Sequence, residues 1–87
     1  MSITTTFTQK ELEYDGMGFA VCLRLNIEAT DGTHTGSNHQ LVSFGKPWKK
    51  VVDWTQEEID AEAEEWKNRC GMEELAIEDL NYIKENA

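Results

Sequence analysis

Between Phe19 and Ala29 the chain alternates without a break. Phe19, Val21, Leu23, Leu25 and Ile27 fall on one side, and Ala20, Cys22, Arg24, Asn26 and Glu28 on the other. A period of two over this length predicts a β-strand with one buried face. Asp31-Gly32 follows, the pair favoured in two-residue hairpin turns. A two-residue turn would set Thr30 against Thr33, Val21 against Val42 and Phe19 against Phe44. It would also set Leu25 against Asn38 and Ile27 against Gly36, leaving the second strand polar towards the tip. Either the tip projects beyond the core, or the loop is longer and the register shifts. Upstream, Ile3, Thr5 and Phe7 alternate within a threonine-rich segment, Ser2 to Gln9, which predicts another strand. Lys10 to Gly18 is polar, ends in DGMG and reads as a loop.

After residue 53 the period changes. In WTQEEIDAEAEEWKNRC, residues 54–70, Ile59, Ala63, Trp66 and Cys70 are spaced to lie within roughly 60° of arc on a helix. Thr55 and Glu58 form a capping box, with Trp54 and Ile59 at the staple positions. Glu57 and Glu58 in the first turn and Lys67 and Arg69 in the last suit the helix dipole. Gly71 supplies a left-handed stop. Met72 to Asn86 reads as a second amphipathic helix centred on Ala76, Leu80 and Ile83, flanked by Leu75 and Ile77. Its apolar face is rotated by roughly 90° from that of a continued first helix, which also argues for a break at Gly71. Between sheet and helices, GKPWKK (residues 45–50) is a connector, since Pro47 disfavours helix at Lys46. Val51 and Val52 read as a strand end or core plugs.

Strands followed by helices predict an α+β fold: a three-stranded antiparallel meander with two helices packed on one face. Adjacency in sequence favours pairing the first strand with the second. The 87 residues suffice for one small domain with one core.

Charge divides the chain unevenly. Residues 1–52 carry Glu11, Glu13, Asp15, Glu28 and Asp31 against Lys10, Arg24, Lys46, Lys49 and Lys50, and are neutral. Residues 53–87 carry the whole net charge of −9, with Lys67, Arg69 and Lys84 as their only bases. Such a segment repels nucleic acid and attracts basic proteins, unless it serves only to keep the surface solvated. No run of apolar residues approaches the ~18 that a membrane span needs, and no signal peptide is evident. A cytoplasmic location is therefore expected, with Cys22 and Cys70 as reduced, partly buried thiols.

Catalytic signatures are lacking. His34 and His39, with Cys22, match no metal-ligand spacing, and no metal or cofactor is expected. The helix carboxylates share one solvated environment, whereas acid–base pairs need environments that split their pKa values. Asp79 is less routine, lying near the apolar arc of the second helix, where it would pair with a base such as Lys10 or Arg24 or reach solvent. Trp48 and Lys49 make the 45–50 segment a secondary candidate for contacts, though its basic footprint is too small for a nucleic-acid binder.

These features point to a non-enzymatic binding module with a basic protein as partner. Glu57, Asp60, Glu64 and Glu65, on or beside the outer face of the first helix, are the candidate contacts. In size and charge the chain resembles the small acidic inhibitors of phages and mobile elements, anti-CRISPR proteins among them. That resemblance is one of composition and transfers no site residues; the mimicry of nucleic acid follows from carboxylates on a rigid helix, which can occupy a groove built for phosphates. The alternative is a self-associating structural or accessory subunit, joined through a threonine-rich sheet edge or through exposed tryptophans.

Overall fold

The computed structural model describes residues 2–43 and 49–87. Three antiparallel strands, β1 (Thr4–Tyr14), β2 (Ala20–Thr30) and β3 (Thr35–Ser43), form one open sheet in the order β1-β2-β3. A 3-10 turn at Val51–Asp53 leads into α1 (Gln56–Cys70) and α2 (Met72–Glu85). The fold is the expected α+β meander with two helices packed against the sheet. Among the described residues no helix is long and apolar enough to cross a membrane.

The core lies between sheet and helices. Leu23, Leu25 and Ala29 of β2 have no exposed surface and Ile27 has almost none. From the helices come Ala63, Met72, Ala76 and Leu80, all fully buried. Ile59, Trp66 and Cys70 pack on this cluster from the predicted apolar face of α1, and Ile77 does so from α2. Met72 belongs to the buried face of α2, whereas Leu75, expected to flank it, is exposed. Both cysteines are half-buried free thiols.

The structure corrects four readings. First, β1 continues through Lys10–Tyr14, where a loop was expected. Leu12 pairs with Leu23 on the core side, and Lys10, opposite Leu25, reaches α1. Second, the β2–β3 loop has four residues, so Leu23, not Val21, faces Val42, and Thr30 faces Thr35. The Asp31 carboxylate explains the longer loop: it accepts the Thr33 and His34 N–H groups at 2.9 Å each. Gly32 takes a positive φ of 94°. The Asp31 N–H still donates to the His34 carbonyl at 3.3 Å, but the return bond from His34 N–H goes to the Asp31 carboxylate instead of its carbonyl. Third, the alternation of β2 breaks at Val21. The register with β1 shifts between Glu13 and Tyr14, placing Ala20 rather than Val21 in the core. Phe19 bridges to Lys50 instead, and Phe44 lies outside the described residues. Fourth, Val51 and Val52 are neither strand nor core, and Val52 is 86% exposed.

The β2–β3 shift is by two residues and keeps each side chain on its expected face, so Gln40, Asn38 and Gly36 stand opposite Leu25, Ile27 and Ala29 on the helix side of β3. Asn38 and Gln40 are half-buried and hydrogen-bond to each other at 3.0 Å. Gly36 is buried beneath α2, where a Cβ would stand 2.2 Å from Leu80 N and 2.7 Å from Ala76 O. Only a residue without a side chain lets strand and helix backbones approach this closely.

Candidate protein-docking surface

The start of α1 is built as its residues dictate. The Thr55 hydroxyl accepts the Glu58 N–H at 3.1 Å, and the Glu58 carboxylate accepts the Thr55 N–H at 3.1 Å. Lys49 pairs with the same carboxylate and lies 4.7 Å from the Trp54 ring centre. These partners, the Lys49 ammonium first, hold Glu58 below its ordinary pKa. Beside them is an open cavity of about 200 Å³, lined by Lys49, Trp54, Glu58, Ala61, Glu62 and Glu65. Lys49 is therefore tied to α1, and Trp48 lies outside the described residues.

The α1 acids singled out from the sequence are more compensated than their spacing suggests. Asp60 receives Lys10 from β1 at 2.8 Å and Gln56 at 3.0 Å, and both lower its pKa, Lys10 the more. Glu64 pairs with Lys67, and Glu65 with Arg69. Lys67 also lies 3.5 Å from Glu73 of α2, and this acidic company, Glu64 above all, raises its pKa. Glu73 in turn accepts the Thr5 hydroxyl of β1, the main reason its own pKa is lowered. Of the four candidates, Glu57 has neither ion pair nor hydrogen bond among the described residues.

Along α2, Asp79 meets neither Lys10 nor Arg24. It accepts the Ser37 N–H of β3 at 2.8 Å, an amide that points away from β2. Arg24 instead donates to Glu13 at 2.7 Å and lies beside His39 on the opposite face of the sheet. His34 sits in the hairpin loop, away from His39. Lys84, near the end of α2, reaches Asp31 in that loop at 3.1 Å.

No known protein family, curated protein or solved structure matches the chain. The surface must therefore be read from its own chemistry. Among the described residues, Asp53, Glu57, Glu62, Glu74, Glu78 and Glu85 make no ion pair and no side-chain hydrogen bond. The helical half thus presents two kinds of carboxylate. Those facing the sheet or the last turn of α1 are neutralised by Lys10, Lys49, Lys67 and Arg69. Asp79 is held by Ser37, and the remainder, exposed except for the half-buried Glu62, sustain the negative field. Sequence spacing could locate the i,i+3 and i,i+4 pairs of α1. It could not show that β1 would lend Lys10 to Asp60.

Proposed function

We propose that the chain is a non-enzymatic binding module whose acidic helical half docks on a basic protein. In its sharpest form it is a nucleic-acid mimic, a phage or mobile-element inhibitor that occupies a phosphate-binding groove from the cytoplasm. One observation carries the reading: all the net charge of −9 resides in residues 53–87, and seven of the twelve acids there have no internal counter-ion among the described residues. Exposed like charges on rigid helices repel one another, and a basic partner relieves that repulsion while the field steers its approach. On α1, Glu57 is the available contact. Asp60, Glu64 and Glu65 lie within two turns of it, where an incoming cation would share or displace their present partners.

Self-association through a sheet edge draws less support. The Asp79 carboxylate occupies a Ser37 amide that a further strand on β3 would need, and β1 is bulged between Phe7 and Gln9. Both features discourage strand addition.

The test is kinetic. Once a basic protein is captured and identified, its association rate with the intact chain is measured over a range of salt. Steering through exposed carboxylates predicts slower association as salt rises, screened over roughly 8–10 Å. Reversing Glu57 and Glu64 to Lys should slow association more than it speeds dissociation. An association rate indifferent to salt and to charge reversal would show that the acid serves only solvation. Concentration-dependent oligomers by light scattering, with no basic partner captured, would favour self-association.

A further inference from the structure

We infer that the outer face of α2 is where the basic partner is anchored, and that this partner presents an amphipathic segment, apolar residues beside lysine or arginine. The inference rests on the reading above that the acidic half meets a basic protein, and it names the surface and the contact chemistry.

At 100° per residue, Glu74, Glu78 and Glu85 fall within about 40° of arc, directly opposite the buried line of Met72, Ala76 and Leu80. All three are exposed and without an ion pair among the described residues. Next to them run Leu75 and Tyr82, seven residues apart and about 20° from each other on the helix. They are 37% and 66% exposed. Single exposed apolar side chains are ordinary. Here two share one stripe, and the core they might have filled is already closed by fully buried residues. Asp79, on the same side of the helix, is engaged by Ser37 and does not break the stripe. Tyrosine is among the residues that carry binding energy in protein interfaces, where an apolar centre with a charged rim is the usual arrangement.

The α1 surface differs. Its candidates Asp60, Glu64 and Glu65 hold bases from this chain, so a partner that engages them must displace an existing pair, which leaves Glu57 and Glu62 as the acids of α1 without one among the described residues. On α2 nothing needs displacing. Charge complementarity also selects the class of occupant: phosphate backbones and anionic lipid surfaces are repelled by this stripe, and a basic protein segment is attracted.

The experiment uses the isotope-labelled full chain and two probes of equal charge: a short amphipathic peptide of leucine and lysine, and one of glutamine and lysine. Amide shift changes are mapped at low salt. The leucine peptide should perturb residues 74–85 foremost and bind more tightly than the glutamine peptide. Tyr82→Ala, with Leu75→Ala as a second variant, should weaken the leucine peptide by about tenfold while leaving its salt dependence in place. Glu74→Lys with Glu78→Lys should flatten the salt dependence. All these positions are exposed, and an unchanged thermal midpoint verifies folding. Equal affinity for the two peptides, shift changes centred on Glu57 and Glu62, or Tyr82→Ala without effect would overturn the α2 anchor and leave the acidic-half reading standing. No binding of either peptide at low salt would overturn both.

Discussion

Gly36→Ala adds one methyl group where the β3 backbone lies directly against the backbone of α2. The new Cβ would lie 2.2 Å from Leu80 N, 2.6 Å from Leu80 Cα and 2.7 Å from Ala76 O. Comfortable non-bonded contacts between carbon atoms are ~3.5–4.0 Å. Strand and helix would therefore have to separate by about 1 Å, loosening Ala29, Ala76 and Leu80, none of which has exposed surface. The clashing atoms are backbone, so no side-chain rotation relieves them, and truncating Leu80 would not rescue the variant. Overpacking costs about 1–3 kcal/mol, and with backbone atoms as the obstacle this case falls in the upper part, about 2–3 kcal/mol. Against it stands a gain of about 0.4–1 kcal/mol, because alanine restricts the unfolded chain more than glycine does. The steric term is the larger, and the net loss should be about 1–2.5 kcal/mol. At ~4–8 °C per kcal/mol for a domain of this size, the thermal midpoint should fall by roughly 4–20 °C. Thermal and urea unfolding followed by circular dichroism measure it. Gly16→Ala is the control, since Gly16 has no atom within 4 Å of its notional Cβ and no positive φ, and it should be neutral or slightly stabilising. A Gly36→Ala midpoint equal to or above that of the parent would refute the close approach of α2 to β3.

Leu23→Ala, in the fully buried row of β2, should cost about 2–5 kcal/mol in urea unfolding, and a loss well under ~1 kcal/mol would place Leu23 outside the core. Thr55→Ala removes the side-chain acceptor for Glu58 N–H and should cost about 0.5–2 kcal/mol, with an unchanged midpoint arguing that the cap is dispensable. Asp31 is held well below the usual carboxylate range, first by the His34 and Thr33 amides and then by Lys84. The unfolded chain takes up this proton near pH ~4 and the folded chain only at lower pH, so the stabilisation is present above about pH 4 and is lost as pH falls. Urea midpoints measured from neutral to acid pH should decline less steeply below pH ~4 in Asp31→Asn than in the parent; parallel curves would show that Asp31 is not the group responsible.

Where the determinants are local, the sequence was readable. Thr55, Glu58 and Gly71 each act within four residues, and the α1 boundaries follow from them. The apolar line of Ile59, Ala63, Trp66 and Cys70 is equally local, being set by helical period alone. The strand boundaries were harder because their logic is tertiary. Lys10 to Gly18 reads as loop because it is polar and ends in DGMG, and nothing local signals that Lys10 pairs with Asp60 of α1, fifty residues away. The hairpin register failed for a different reason. Asp31-Gly32 is a turn signal in either loop, and the choice depended on the Asp31 carboxylate reaching the Thr33 and His34 amides. The candidate contacts show the same division: Glu64–Lys67 and Glu65–Arg69 could be read from helical spacing, whereas Asp79–Ser37 depended on how α2 lies on the edge of β3.

The helix α2 is held along its length: backbone to backbone at Gly36, by Asp79 on Ser37, and by Lys84 on Asp31. A helix tied down at three levels has little freedom left to lose. Ordering a flexible segment on binding costs affinity, commonly ~2–5 kcal/mol for segments that fold as they bind. Here that ordering is completed during folding, so Glu74, Glu78 and Glu85 keep their mutual spacing whether or not anything is bound. A partner meeting this face would surrender only its own side-chain entropy and that of a few exposed residues such as Tyr82. Binding would then resemble the docking of a rigid template, with little change in backbone order on this side of the complex.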